Sequence, residues 1–356
     1  MRKRIARALT ALVASLGLAA IPNAHATAAT PVHYQLTMIK AMNGAFGNVP
    51  FAINAAGHTV GVGSFPDSST QTGYFSTTPA QLTELPGVAT GDPNLADTSE
   101  AFGLNSSDTV VGTAFATLPI RQTAVVWHNG VPTDLGILPG DEDVEARAIN
   151  DAGQIAGSGV DTGVAWLYQN GKTTILPPLP GGQAAQALGI SGGGQVLGFS
   201  ATSADVDNAE ATVWRNGVPA GLGTLRGSTW SEAHAMNAGG VVVGASGVGA
   251  GGAFAPRHPV MFTGGKVIDL WPDLGGSTSG TANAINSAGT IVGDGRDGWV
   301  YSNGVRTDLD TLIPPNTGLT ITAAYGINDA GQIVASAARR GQLNLQFAVL
   351  LTPVTG

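Results

Sequence analysis

Short apolar segments alternate with glycine-rich polar turns along nearly the whole chain, and the alternation repeats. Each unit starts with a strand of small residues that ends in a small–apolar–Asn triplet, and a tight turn and a β-branched segment follow. Next comes an apolar segment ending in an aromatic residue, and an Asp–Leu–Gly type of segment closes the unit. Each unit therefore predicts four short β-strands. The triplets end at Asn54, Asn105, Asn150, Ser191, Asn237, Asn286 and Asn328, at intervals of 51, 45, 41, 46, 49 and 42 residues.

The sequence also predicts the turns inside a unit. Asn-Gly pairs follow the aromatic residue at 129–130, 170–171, 216–217 and 303–304. Asn-Gly between two extended segments favours a type I′ hairpin, because both residues tolerate positive φ. At the first turn, Asn150-Asp151-Ala152-Gly153 places Asn where an Asx-turn forms and Gly where a left-handed residue is needed. Two tight hairpins and one looser loop should connect the four strands.

A four-stranded unit of about 46 residues is typical of a β-propeller blade. The two ends of the chain favour a closed ring. The seventh unit, 325–352, supplies only three strands, and an extra strand-like segment, 33–39, precedes the first unit. An open solenoid would need capping repeats instead. We predict an all-β propeller, with seven four-stranded blades, in which the N-terminal strand closes the last blade; six or eight blades are the alternatives. The repeats start near residues 48, 99, 144, 185, 231, 280 and 322.

The first 26 residues have a different character. Arg2, Lys3, Arg4 and Arg7 precede an apolar segment, 8–21, and Ala24-His25-Ala26 follows it. This order predicts a secretory signal peptide cleaved after Ala26. The apolar segment is shorter than the roughly 20 residues that a membrane-spanning helix needs. We therefore expect residues 27–356 to be a single propeller domain, secreted to the periplasm or outside the cell, with no stable membrane insertion.

Composition narrows the function classes. The chain has 16 basic and 24 acidic residues and a net charge of −8, which excludes the basic surface that nucleic-acid binding requires. With no Cys, disulfides, thiolate metal sites and cysteine nucleophiles are also excluded. Only 11% of the residues are charged, too few for a long helical bundle.

Several segments resemble the bacterial HAF-family extracellular repeats. The residues that carry the resemblance are ARAINDAGQIAGS (146–158), ATVWRNGVPAGLGTLRG (211–227) and YGINDAGQIVAS (325–336). The resemblance covers nearly all of residues 45–352. The family's name-giving tripeptide is replaced here, for example by Thr123-Ala124-Val125 and His258-Pro259-Val260. The resemblance implies an exported repeat protein and no particular chemistry.

The candidate binding residues come from the position of the first strand, which lines the central channel of a propeller. Three residues before the first residue of the triplet, four successive units carry Glu100, Glu145, Gln186 and Glu232, which should converge near one mouth of the channel. Arg147 and His234 lie two residues further along the same strands, and Trp230 lies in the connection that enters the fifth unit. We predict a ligand-binding face made of Glu100, Glu145, Arg147, Gln186, Trp230, Glu232 and His234; the alternative is that these carboxylates only solvate a loop-to-strand junction.

Motifs for catalysis and metal binding are weak. Gly189-Ile190-Ser191-Gly192-Gly193 matches a nucleophile elbow, but it lies in a hairpin turn rather than between a strand and a helix. The glycine-rich segment 247–252 has no helix after it to bind a pyrophosphate. The histidines lack the spacing of a zinc site. We predict no catalytic residue, no metal ligand and no cofactor; Ca²⁺ between converging carboxylates stays open, without a local calcium-binding motif.

The sequence thus predicts an exported monomer that binds or scaffolds an extracellular glycan or protein without catalysis. One alternative is an extracellular hydrolase or lyase on polysaccharide or ester substrates, using Glu145 or Glu232 with His234 or Arg147. The other is a purely structural surface repeat. A propeller alone implies no activity.

Overall fold

The computed structural model describes residues 32–65, 71–88, 98–117, 120–136, 138, 140–203, 207–274 and 278–354. Residues 32–356 belong to one compact unit. The predicted signal peptide, residues 1–26, lies outside the described residues. None of the helices in the described part of the chain has the length and hydropathy to cross a bilayer.

The described residues are almost entirely β-structure. Two short 3₁₀ helices, Gly252–Phe254 and Leu309–Thr311, are the exceptions among the regular elements of these residues. The strands in chain order are β1 (His33–Met38), β2 (Gly47–Ile53), β3 (Thr59–Ser64), β4 (Gln71–Thr78), β5 (Gln81–Leu85), β6 (Thr98–Leu104), β7 (Val110–Thr117), β8 (Ile120–His128), β9 (Val131–Asp134), β10 (Val144–Ile149), β11 (Ile155–Gly159), β12 (Val164–Gln169), β13 (Lys172–Leu176), β14 (Ala185–Ile190), β15 (Val196–Ala201), β16 (Ala209–Arg215), β17 (Val218–Gly221), β18 (Ser231–Met236), β19 (Val242–Gly247), β20 (Arg257–Thr263), β21 (Lys266–Asp269), β22 (Thr281–Ile285), β23 (Ile291–Asp294), β24 (Trp299–Ser302), β25 (Val305–Asp308), β26 (Leu319–Ile327), β27 (Ile333–Arg339) and β28 (Gln342–Val354).

The strands form seven antiparallel blades, which confirms the predicted β-propeller. Blade 1 is β2–β5, and blades 2 to 6 follow in groups of four consecutive strands up to β25. Blade 7 consists of β26, β27 and β28, with β1 as its fourth strand. The first strands of neighbouring blades contact each other all the way round, including β26 with β2, so these seven strands surround the central axis.

The N-terminal strand closes the ring as predicted. β1 pairs with β28 from His33↔Val354 to Met38↔Val349, an antiparallel register without a shift. On its other side, the Tyr34 backbone N–H donates to the Leu312 carbonyl at 2.8 Å. The last blade is therefore completed by residues that stand at the other end of the sequence.

The turn prediction is also confirmed. Asn129, Asn170, Asn216 and Asn303 all have a φ of 52°. Each is followed by a glycine with positive φ, which is the backbone of a type I′ hairpin. These hairpins join the third and fourth strands on the face opposite to the entry of the first strands.

Large aromatic residues fill the spaces between blades. Trp127 and Trp214 are almost fully buried. Their indole N–H groups donate to the carbonyls of Pro86 at 2.8 Å and Pro177 at 2.7 Å, on the preceding blade. Burial of such rings contributes a large share of the apolar area and fixes how the blades stack.

The sequence predicts that the aromatic residues near the end of the third strands pack between the blades, and two blades depart from this pattern. Tyr168 and Tyr301 are only half-buried. The core position of their blades is taken by a tryptophan two residues earlier, Trp166 or Trp299. Each tryptophan pairs with a glycine of the second strand, Gly157 or Gly293, where an added Cβ would collide with the indole ring. The glycine makes room for the larger side chain.

Candidate functional site

Every blade interrupts the pairing of its first two strands with a β-bulge at the same place. In blade 1, Pro50 and Ala52 pair with the consecutive residues Gly61 and Val60, so Phe51 is an extra residue. A bulge leaves such a residue without a partner on the neighbouring strand and changes the direction of its side chain. The seven extra residues are all half-buried and lie on the strands that surround the axis. They are Phe51, Phe102, Arg147, Leu188, His234, Asn283 and Tyr325, and we call them the bulge ring.

Three neighbouring members of the bulge ring form an aromatic arc. The ring centroids of Phe51 and Phe102 are 5.6 Å apart, and those of Phe51 and Tyr325 are 6.0 Å apart with the planes at 89°. These are the separations of favourable tilted and edge-to-face pairs. Burial raises the pKa of the Tyr325 phenol, and the Asp294 carboxylate raises it further, so the hydroxyl stays neutral. Blades 7, 1 and 2 thus give the channel an apolar side.

A salt bridge lies next to this arc. The Arg147 Nε and Nη2 atoms are both 2.7 Å from Glu145 Oε1, and the guanidinium lies 4.7 Å from the centroid of Phe102. Gln122 also donates to Glu145, at 3.3 Å. Burial raises the pKa of the Glu100 carboxyl, while Arg147 lowers it and Glu145 raises it. We call Phe102, Arg147 and Glu145 the blade-3 clamp; Glu100 lies within its electrostatic reach.

Blade 5 repeats this arrangement with an arginine from a different strand. Arg257, the first residue of β20, lies over Trp230 at 4.0 Å from the ring centroid. Its Nη1 atom is 3.4 Å from Glu232 Oε1. Trp230 is only 3% exposed and also contacts Phe199 at 5.9 Å. Trp230, Arg257 and Glu232 form the blade-5 clamp. The sequence predicts Trp230 as part of the ligand-binding face, but in the structure the arginine covers it.

His234 and Asp294 add a polar group beside the blade-5 clamp. The Nε2 atom of His234 is buried and lies 3.1 Å from Glu232 Oε1, but the two atoms are not aligned for a hydrogen bond. The Asp294 carboxylate accepts from the Thr281 N–H at 2.8 Å and from Asn283 Nδ2 at 3.2 Å. Burial raises the pKa of Asp294; the two hydrogen bonds and His234 lower it, and Glu232 raises it.

Sequence reasoning missed Asp294, Asn283 and Arg257. Asp294 did leave a signal, because the equivalent positions of the other second strands carry uncharged residues such as Ser158 and Ala245. No comparable signal marks Arg257, because it lies far from the first strand of its blade in sequence.

The predicted binding residues fall into two groups and one separate residue. Glu100, Glu145 and Arg147 lie together between blades 2 and 3, and Trp230, Glu232 and His234 lie together in blade 5. Gln186 occupies the equivalent place in blade 4, opposite Phe199 of β15. Among the described residues, none forms a hydrogen bond or ion pair with the Gln186 side chain. Blade 4 therefore separates the two clamps with an amide and the apolar Leu188.

The other mouth of the channel is encircled by side-chain amides. Each asparagine that ends a first strand donates from Nδ2 to the backbone carbonyl of the equivalent residue in the next blade. We call these residues the Asn ring. The six hydrogen bonds run from Asn54 to Asn105 (3.0 Å), Asn105 to Asn150 (3.3 Å), Asn150 to Ser191 (3.1 Å), Asn237 to Asn286 (3.4 Å), Asn286 to Asn328 (3.2 Å) and Asn328 to Asn54 (3.1 Å).

The Asn ring is interrupted once, between blades 4 and 5. Ser191 stands at the asparagine position, and its shorter side chain does not reach the Asn237 carbonyl. Its Oγ accepts from the Gln195 N–H at 3.0 Å, as the other turns do with asparagine Oδ1. A cavity of about 760 Å³ opens at this mouth, and Ser191, Asn237 and Arg215 are among its lining residues.

The weak chemical motifs occupy structural positions. Ser191 lies in a turn, and the segment 247–252 leads from β19 through a 3₁₀ turn towards β20. His258 pairs with Asp269 at 2.8 Å within blade 5, and His58 pairs with Asp108 at 2.8 Å between blades 1 and 2. In the part of the chain that the structure describes, no group of three His, Asp or Glu side chains is placed to hold a metal ion.

Known proteins match this chain in fold only. No protein-family model and no curated protein matches the sequence. The virginiamycin B lyase of Staphylococcus aureus has a TM-score of 0.55 at 9% identity, covering 91% of this chain and 100% of that chain. YCF48 bound to D1 peptide has a TM-score of 0.51 at 10% identity, covering 91% and 95%. The extracellular domain of a putative one-component system from B. thetaiotaomicron has a TM-score of 0.52 at 10% identity, covering 91% and 40%. At these identities the comparison shows the propeller fold.

Proposed function

We propose that the chain is an exported recognition module, which binds an extracellular glycan or protein without catalysis at the bulge-ring mouth of its channel. The observation that carries this proposal is the contrast between scaffold and channel. Turns and inter-blade contacts repeat from blade to blade, whereas the seven bulge-ring residues differ in chemistry. A ring that served packing alone would not need aromatic, cationic and amide side chains at equivalent positions.

Burial and geometry support a site that is formed before the ligand arrives. The two clamps fix Arg147 and Arg257 through both a carboxylate and an aromatic face, which limits their rotamers. Binding sites that are already organised lose less entropy on association. One of the solved structures with this fold is named as a peptide complex and another as an extracellular domain, so the fold is compatible with ligand recognition and with a place outside the cell.

The export part of the proposal rests on residues 1–26 and on the HAF-type repeats. Expression of the full chain in a bacterium should release a product that starts at Thr27, found by N-terminal sequencing of the periplasmic or culture fraction. A chain that keeps Met1 and stays in the cytoplasm would contradict the export part of the proposal but not the binding part.

The binding part is tested with a matched pair of arginine variants. The protein is screened on a glycan array and a peptide array, and the hits are measured again with Arg147→Ala and Arg215→Ala. Both changes remove one positive charge, but Arg215 lies at the opposite mouth. Binding lost only in Arg147→Ala supports the proposal. Hits weakened equally by both changes would contradict a site at the bulge ring, as would hits that neither Arg147→Ala nor Phe51→Leu weakens, or the absence of any hit.

A second candidate, an extracellular hydrolase or lyase, is favoured by Asp294. A buried carboxyl with a raised pKa next to a histidine and a second carboxylate is a common arrangement at catalytic sites. Polysaccharide and ester substrates should then release products with the native protein and not with Asp294→Asn. Equal product release by both proteins would rule out this role for Asp294.

A further inference from the structure

Two of the four carboxylates at the bulge-ring mouth are paired with arginines. Glu145 is paired with Arg147, and Glu232 is paired with Arg257. Asp294 accepts from a backbone N–H and from the Asn283 amide. Glu100 and Asp294 form no salt bridge with a described residue, so this mouth carries an excess of carboxylates. An anionic ligand would be repelled by them and would have to break an existing pair to reach Arg147 or Arg257, which is costly in a half-buried site. This favours an uncharged ligand over an anionic one.

The same mouth offers hydrogen-bonding groups of both kinds that the protein does not use. The Gln186 amide has both a donor and an acceptor, and no described residue forms a hydrogen bond with its side chain. Asn283 uses its Nδ2 for Asp294 and for the Ala324 carbonyl at 2.9 Å, which leaves its Oδ1 as an acceptor. Ligand hydroxyl groups suit such a mixture, because each can donate and accept.

The aromatic arc supplies an apolar surface at the same mouth of the channel. Phe51, Phe102 and Tyr325 are half-buried, and Leu188 of blade 4 is half-buried as well. A pyranose ring has a face of C–H groups and an edge of hydroxyl groups, so it matches an apolar side and a polar side at once. Ligand pockets in general combine an apolar lining with a few placed polar groups.

The inner strands are poor partners for an extended peptide. Peptides that bind by strand addition need a flat edge with a regular row of free N–H and C=O groups. In every blade the bulge breaks this regularity on the strand that faces the axis, and bulges are one way in which edges avoid pairing. The backbone of the channel therefore disfavours this mode of peptide recognition.

We infer that the bulge-ring mouth takes a neutral carbohydrate, with a pyranose ring against the Phe51–Phe102–Tyr325 arc and its hydroxyl groups towards Gln186 and Asn283. This inference rests on the proposed function and names its ligand class. It leaves the sugar stereochemistry to experiment.

The test uses three probe sets on the full chain: neutral hexose and N-acetylhexosamine oligosaccharides, uronic-acid or sulfated oligosaccharides, and a peptide library. Neutral oligosaccharides should bind, with an affinity that changes little between roughly 0.05 and 0.5 M NaCl, because no net charge is neutralised. Phe51→Leu keeps an apolar side chain of similar size and removes the aromatic face. It should weaken binding about tenfold or more, equivalent to 1.4 kcal/mol or more, and Ile175→Ala on the outer strand β13 should not.

The outcomes separate the two proposals. Channel-dependent binding of only charged glycans or peptides, lost in Arg147→Ala, would overturn the carbohydrate inference and keep the recognition site. Neutral oligosaccharide binding that is unchanged in Phe51→Leu and in Asn283→Ala would place the sugar elsewhere and overturn the inference. If no probe in any set depends on a channel residue, both proposals fail.

Discussion

Replacing Ser191 by asparagine should stabilise the propeller, because the Asn ring lacks one hydrogen bond at that position. The turn that starts at Ser191 has the backbone of its neighbours: the Gly194 N–H donates to the Ser191 carbonyl at 2.9 Å, and the Gly153 N–H donates to Asn150 at 3.0 Å. Gly153 and Gly194 also share a positive φ, 75° and 79°. An asparagine at 191 can therefore donate to the Asn237 carbonyl without a change of the turn.

The magnitude follows from one added hydrogen bond in a mostly buried place. Ser191 is 6% exposed, as are Asn150 and Asn286. A net intramolecular hydrogen bond contributes about 0.5–1.5 kcal/mol. The new side chain also loses some rotamer freedom on folding, which offsets a few tenths of a kcal/mol. We expect Ser191→Asn to raise the free energy of unfolding by about 1 kcal/mol, or roughly 1–2 °C in Tm for a domain of this size.

The assay is guanidinium chloride unfolding followed by tryptophan fluorescence, with Asn286→Ser as the matched reverse change. That variant keeps an oxygen to accept from the Thr290 N–H, as Ser191 does from Gln195, and loses only the link to Asn328. It should destabilise the protein by about 1–2 kcal/mol, since it also leaves a carbonyl with one partner fewer. The denaturant slope should stay constant in both variants.

Two results would refute this reasoning. If Asn286→Ser costs nothing, the links between neighbouring asparagines do not contribute to stability. If Asn286→Ser is destabilising but Ser191→Asn is neutral, the gap between blades 4 and 5 is not a missing hydrogen bond, and the spacing of those two blades must differ from that of the others.

Three further predictions concern packing, closure and pH. Trp214→Ala should lower the free energy of unfolding by about 3–5 kcal/mol by opening a cavity between blades. The control Val218→Ala, on the exposed outer strand, should change it by less than about 0.5 kcal/mol. Equal effects of the two changes in chemical unfolding would contradict the placement of Trp214 in the core. Thr37→Pro should destabilise the protein more than Met38→Pro. The N–H groups of a strand point alternately to its two sides, and since the Tyr34 N–H points away from β28, the Thr37 N–H points towards β28 and the Met38 N–H away from it. The reverse order of stability would contradict the register of the closing strand. The pKa of Asp294 is higher in the folded than in the unfolded protein, so ionisation of Asp294 opposes folding at high pH, and this penalty decreases as the pH falls through the folded pKa towards the unfolded one. Relative to Asp294→Asn, the native protein should therefore lose stability as the pH rises from about 4 to 7. A difference in unfolding free energy that stays constant with pH would refute the shift.

The fold was largely predictable because its local chemistry repeats. The Asn-Gly pairs fixed the outer hairpins, and the asparagine turns fixed the period. The unpaired segment around Tyr34 indicated how the ring closes. The aromatic register failed in blades 3 and 6, where a tryptophan two residues earlier, opposite Gly157 or Gly293, occupies the core instead. Nothing in the spacing of the aromatics alone distinguishes these two registers.

The candidate site was predictable only in part, because its geometry depends on bulges and on contacts between distant residues. The period located Glu145, Arg147, Glu232 and His234 on neighbouring strands. It did not show that Arg257, which comes from a third strand, covers Trp230. The bulges themselves have no distinct sequence signal, so Phe51, Asn283 and Tyr325 did not appear as members of one ring.

The seven bulges have a consequence for how such a channel can change. A residue in a bulge has no partner opposite it on the neighbouring strand, so its identity can vary while the pairing of the flanking residues persists. The surface of this mouth can thus change one side chain at a time, at seven positions, while the strand pairing of the blades stays the same. A combinatorial library over those positions should yield mostly folded proteins that differ in the chemistry of this mouth.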